Sequence, residues 1–294
     1  MNRYLIDSYT NGNYNIFLYS DGTKIRLGDD TFKPQFPESI DMKISNCCDM
    51  GCPFCHERSV PNGELANLMH PLLDSLPQGT ELALGGGNVL EHPDLVPFLR
   101  RMSKQGVICN MTVHVKHFEW NYELIKFLVD SKLIYGLGIS VTDYITDTQI
   151  ALIQSIPNAV IHCIAGIAPI ELFQKLGHKN LKLLILGYKH YGRGENYFEK
   201  NAFIKEQINK FHYFLPELYL MFPIISFDNL AIWQLHLNET IDEGIWNRSY
   251  MGNDGEYTMY IDLVKEEFAA SSISPRQPID KCNNIIALFD KVRS

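Results

Sequence analysis

Cys48, Cys52 and Cys55 stand in a Cys-x3-Cys-x2-Cys pattern, with Cys47 directly before them. Three thiolates on one short loop can hold an iron-sulfur cluster one protein ligand short. The iron left open is then free to bind and transform a small molecule. Structural zinc is the other chemistry this spacing allows, with Cys47 or His56 completing a four-ligand set. Zinc knuckles usually come in two distant halves, whereas Cys109, Cys163 and Cys282 are single and far apart. Side chains of adjacent residues diverge on an extended backbone, so Cys47 reads as a small apolar residue rather than a fourth ligand. Spacing alone leaves both metals open, and the flanking segments must decide.

Residues 39–45 alternate Ile40, Met42 and Ile44 with polar neighbours, the pattern of a strand, and the cysteine loop follows directly. A second strand, Glu81 to Leu84, runs into Gly85, Gly86, Gly87 and Asn88, continuing through Glu91 to His92, Pro93 and Asp94. Such glycines either let a backbone approach a ligand or make a tight strand-to-helix turn. Helical spacing is expected over 64–76, 93–105, 121–132, 146–156, 169–177 and 201–215. Strands are expected over 80–84, 108–115, 134–141, 159–165 and 181–188. Six βα units imply a parallel sheet with right-handed crossovers. Residues 14–27 read as a hairpin turning at Ser20 to Gly22, and 224–235 and 251–262 as extended segments.

The strand, the cysteine loop with Phe54 before its third cysteine, and the glycine segment resemble, in this order, the radical S-adenosylmethionine (SAM) superfamily. That resemblance implies a partial (β/α)6 TIM-like barrel over 37–218, with an N-terminal hairpin extension over 1–36. A β-containing C-terminal extension over 219–294 would cap the barrel as part of the same domain. It implies one 4Fe-4S cluster on Cys48, Cys52 and Cys55, with SAM on the open iron. SAM contacts would come from Phe54, Gly86, Gly87, Asn88, Ser140, Gly166, Gly187 and Tyr188. Asn88 stands where the family usually has Glu, so the expected acceptor for the SAM amino group is uncharged, and Glu91 is a nearby helper. The implied activity is reductive cleavage of SAM to a 5′-deoxyadenosyl radical that abstracts hydrogen from a small-molecule or peptide substrate. A flavodoxin or ferredoxin would donate the electron. His114, His162, Lys189 and Asp228 are substrate-side candidates, each with a packed core residue as its alternative. The glycines and Arg193 of 189–194 suit an anionic group or a solvated loop. His56 and Glu57 would orient or cover the cluster loop, and Cys282 is either a methyl carrier or an ordinary cysteine.

Composition agrees. With 294 residues and 46% hydrophobic content, one core can form. A net charge of −8 disfavours nucleic acid, which demands a basic face. No apolar run approaches a membrane span, and Met1 to Tyr4 lacks the apolar run of a signal peptide, so the expected location is the cytoplasm. A reducing compartment also suits a labile cluster. The reading from another class is a non-catalytic module, either zinc-stabilised or an iron-sulfur sensor.

Overall fold

The computed structural model describes residues 3–294, so the reading of Met1 and Asn2 lies outside it. The first elements are β1 (Leu5–Asn11), β2 (Tyr14–Tyr19) and β3 (Lys24–Leu27), three antiparallel strands in sequence order. The expected hairpin is therefore the second half of a three-stranded sheet. Its alternation buries Tyr14, Ile16 and Leu18 against Ile108 and Tyr257 of the main body.

The βα units follow: β4 (Ser39–Ser45), β5 (Glu81–Gly86), α1 (Leu95–Gln105), β6 (Ile108–His114), α2 (Val115–Trp120), α3 (Tyr122–Asp130) and β7 (Gly136–Ser140). Then come α4 (Asp147–Gln154), β8 (Ala159–Ile164), α5 (Ile170–Leu176), β9 (Lys182–Leu186), α6 (Arg193–Lys200) and α7 (Phe203–Met221). Local signals set these limits. Thr146 and Gln149 form a capping box at the start of α4, and Gly106, at φ +77°, ends α1 in the left-handed conformation that glycine tolerates.

The tail adds β10 (Ile224–Phe227), α8 (Asn229–Gln234), α9 (Leu237–Thr240), α10 (Glu243–Ser249), β11 (Thr258–Asp262), β12 (Glu267–Ala269), β13 (Gln277–Pro278) and α11 (Ile285–Arg293). The main sheet has ten strands in the order β10-β9-β8-β7-β6-β5-β4-β11-β12-β13, and it is not closed. From β10 to β11 every pairing is parallel, while β12 and β13 are antiparallel. The tail thus extends both sides of the six expected strands. Ile40, Met42 and Ile44 join the helix residues Leu99, Phe118, Ile125, Phe173 and Phe289 in one core. The alternate residues of the same strands face a cavity of about 490 Å³.

Several expected elements differ. Residues 64–76 form no α-helix; only a 3-10 turn at Pro71–Ser75 appears. The preceding backbone is spent on the end of β4, with Ala66 N–H donating to Ile44 O and Asn46 N–H to Glu64 O. Of 224–235 only β10 is extended. Asp228 caps α8 by accepting from Ala231 N–H at 2.7 Å, which starts a helix where the apolar run suggested a strand. Residues 251–257 are irregular before β11. The short helices α2 and α6 were not expected, and the boundary at 218/219 falls inside α7.

One buried carboxylate ties the small sheet to the large one. Glu38, fully buried, accepts from Tyr14 Oη at 2.6 Å, Arg26 Nε at 2.8 Å and Lys24 Nζ at 3.2 Å. Removing it leaves the buried side of this cluster without its anion. Glu38→Ala should lower the unfolding free energy by about 3–5 kcal/mol in urea titration.

Candidate functional site

The cysteines lie on the irregular segment after β4, and Cys48, Cys52 and Cys55 all line the cavity. An irregular loop cannot satisfy its own backbone groups, so partners must come from elsewhere. Cys48 N–H donates to Val60 O, and Arg193 N–H to Cys55 O at 3.0 Å. The Arg193 guanidinium, at the first turn of α6, donates to Cys52 O at 3.0 Å and Ser59 O at 2.8 Å. Arg193 therefore holds the cysteine loop through three carbonyls, and it also lines the cavity. Gly192, at φ +63°, is required here because a Cβ would meet the His56 carbonyl.

The glycine run fixes the other side of the loop. Gly87 N–H donates to Ser45 O and Asn88 N–H to Cys47 O, both at 2.6 Å. A Cβ on Gly86 would strike Ser45 O, and one on Gly87 would strike Cys47 O. Gly85 instead faces open space in the cavity. The run is thus a tight turn against the cysteine loop at Gly86 and Gly87 and an open cavity wall at Gly85.

Beneath the loop is a buried charge cluster. Glu57 is 2.9 Å from Lys43 Nζ and accepts from Tyr260 Oη at 2.9 Å; Lys43 is also 3.2 Å from Asp262. Burial alone would raise the Glu57 pKa, but His56 and Lys43 outweigh it and hold the carboxyl well below its usual range. Lys189 Nζ donates to Ser272 Oγ at 2.7 Å and lies 3.5 Å from His56 Nε2. Burial pushes the Cys48 and Cys52 thiols up, and the neighbouring cysteines add to it. A bound cation reverses that tendency by deprotonating the thiols it coordinates.

The other expected residues divide. Phe54, Gly86, Gly87 and Ser140 line the cavity with the cysteines, and so do His114, His162, Lys189 and Asp228. Asn88 does not: it is buried, caps the 3-10 turn at Leu90 N–H and donates to Glu91. Gly166 packs on Ile204 and Ile208 of α7, and Gly187 on Leu230 and Ala231 of α8. Tyr188 is buried, with its backbone N–H and C=O both engaged by the Gln234 amide at 2.7 and 2.8 Å. Cys47 turns its Sγ to Pro61 O, and Cys282 lies outside the cavity. His114 and His162 are held neutral, pushed down to about 4 chiefly by burial.

Asp41, Lys43, Tyr260, Ser272 and Gln234 were missed. For Asp41 and Lys43 a signal existed, since both occupy the polar positions of the β4 alternation. Both positions line the cavity, Lys43 buried and Asp41 accessible from it.

No protein-family model matches the sequence, and no curated protein matches it. The fold is similar to that of Streptococcus suis SuiB. In the SuiB structure bound to precursor peptide SuiA, the match has a TM-score of 0.57 at 14% identity, over 89% of this chain and 65% of that one. The SuiB structure bound to S-adenosylmethionine gives 0.57 and 14%, over 89% and 68%. The chain thus spans less than two thirds of the SuiB chain in the peptide complex. No helix among the described residues is long and apolar enough to cross a membrane.

The Arg193 clamp is testable without any metal. Losing its charged bonds to two carbonyls costs about 2 kcal/mol or more locally. Arg193→Ala should accelerate amide exchange about thirtyfold at Cys48 and Cys55, with α1 unchanged, in hydrogen-exchange mass spectrometry.

Proposed function

We propose that this chain is a radical SAM enzyme built on a partial barrel. The observation that carries the reading is that Cys48, Cys52 and Cys55 share one cavity with Gly85, Gly86, Gly87 and Ser140 at the C-terminal ends of the parallel strands. Open parallel α/β sheets bind ligands at that end. The cavity volume lies within the usual range for small-molecule sites. The likeness of fold to SuiB, one of whose structures contains SAM, supports the same reading.

The residues suit a cluster with one open iron. Three cysteine thiols are available, Cys47 is turned away, and the Arg193 clamp together with the Gly87 and Asn88 bonds presets the loop. A 4Fe-4S cluster held there with SAM would, on receiving one electron from an external donor, supply a 5′-deoxyadenosyl radical with release of methionine, for hydrogen abstraction from the substrate. The chain's own task is positioning. Gly85 leaves room beside the cysteines, Ser140 offers a hydroxyl without a protein partner among the described residues, and Phe54 contributes a ring face. With Asn88 engaged as a cap and outside the cavity lining, backbone carbonyls of the glycine run would be acceptors for the SAM amino group. Adenine contacts at Tyr188 would require Gln234 to release the backbone.

The substrate class, small molecule or peptide, is part of the proposal, and the SuiB complex with a precursor peptide favours a peptide. An electron donor of the flavodoxin or ferredoxin type, a cytoplasmic setting, and the division into an N-terminal extension, a core and a capping tail are parts of the same proposal.

A zinc-stabilised module is the second reading. The ligand atoms of Cys48, Asp49 and His117 lie within 4.8 Å of one another, an arrangement that suits a single divalent ion.

Anaerobic reconstitution followed by reduction with SAM should yield 5′-deoxyadenosine, measured by chromatography. Cys52→Ala should abolish it, at least a hundredfold below wild type by the scale of catalytic losses. Undiminished product from Cys52→Ala would sink the proposal.

A further inference from the structure

The lower part of the cavity holds two carboxylates that no cation pairs. Asp41 projects from β4 into the cavity and is accessible from it, although it stands deep within the molecule. Its carboxylate has neither a hydrogen bond nor an ion pair among the described residues. Asp228 reaches the same cavity from the end of β10. Its Oδ1 accepts from Gly187 N–H at 2.9 Å and Ala231 N–H at 2.7 Å, and its Oδ2 has no partner among the described residues. Burial raises the pKa of both groups, and Asp228 adds to the rise at Asp41.

The cationic neighbour common to both is Lys189, which lowers each pKa from a distance, while Asp254 raises each. Its ammonium is committed to Ser272, and no ion pair joins it to either carboxylate. His162, on the same inner face, is neutral and has no hydrogen-bond partner among the described residues. Ala83, Ile164, Leu184 and Leu186 supply apolar lining to the same cavity. Two unpaired carboxylates lining one cavity are stabilised by a cation bound there, whereas an anion meets repulsion from both.

We propose that Asp41 and Asp228 form the substrate subsite for a protonated alkylamine, the ammonium lying at the two carboxylates and the methylenes against Leu184 and Leu186. This deepens the reading of the cavity as a substrate site but needs neither cluster nor SAM to be tested.

The probes are 1,5-diaminopentane and 1-pentanol, titrated into the full-length protein by calorimetry and thermal unfolding. The diamine should bind and raise Tm, while the alcohol of similar length should do neither. Asp41 makes no bond that Asn would break, so Asp41→Asn should fold with an unchanged or higher Tm and bind the diamine about tenfold or more weakly. Asp228→Asn keeps its amide oxygen for the α8 cap and should weaken the diamine similarly. Equal responses to diamine and alcohol, no diamine response, or undiminished binding by both variants would overturn the subsite. Amine binding by a protein that cannot cleave SAM would leave the subsite standing and remove only the radical reading.

Discussion

The cysteine segment is an irregular loop whose backbone polar groups must be satisfied from outside, and this requirement organises the site. Unpaired amides and carbonyls away from water are costly, so a loop of this kind is only as well placed as its partners. Here the partners come from both sides of the cavity. Gly87 and Asn88 meet it from the end of β5, and Arg193 meets it from the start of α6. The glycines serve because any Cβ at 86, 87 or 192 would strike a carbonyl of β4's end or of the loop itself. Three sulfur atoms are thus carried by a loop pinned at several points, which is how an irregular segment acquires a defined ligand geometry.

Charge burial then couples this loop to the sheet. Glu57, two residues after Cys55, takes Lys43 from β4 and Tyr260 from β11, and Lys43 takes Asp262. A buried ion pair is a poor source of net stability, because desolvation offsets most of the attraction. Its effect is directional: breaking either partner strands a charge, so alternative placements of the loop are disfavoured. Asp41 and the Oδ2 of Asp228 have no such partner among the described residues, whereas Asp228 Oδ1 is held by the Gly187 and Ala231 N–H groups.

Much of the scaffold was legible because its periods are strong. The alternation in β4 is plain, and the six strands β4 to β9 appear in the expected order, with α-helices after five of them. Residues 64–76 misled because their apolar spacing is helical while their backbone bonds are claimed by β4, a tertiary demand that outweighs local preference. The segment 228–234 misled in the opposite sense, since an apolar run hid the Asp228 cap. The cysteine loop was legible as chemistry, but its support was not. Nothing local marks Arg193 as the partner of Cys52, 141 residues away in sequence. Asn88 was legible as an acceptor yet is spent on a cap, and Tyr188 as a backbone contact yet is engaged by Gln234. Such assignments depend on which of several possible partners the fold brings closest.

The central claim is that the three cysteines hold a cluster whose open iron meets SAM in this cavity. Electron paramagnetic resonance of the reconstituted, reduced protein, recorded before and after adding SAM, addresses it most directly. The account predicts the signal of a reduced 4Fe-4S cluster whose g-values shift on SAM addition, because SAM becomes a ligand to one iron. Stoichiometric zinc with no iron signal, or a cluster signal indifferent to SAM, would contradict it.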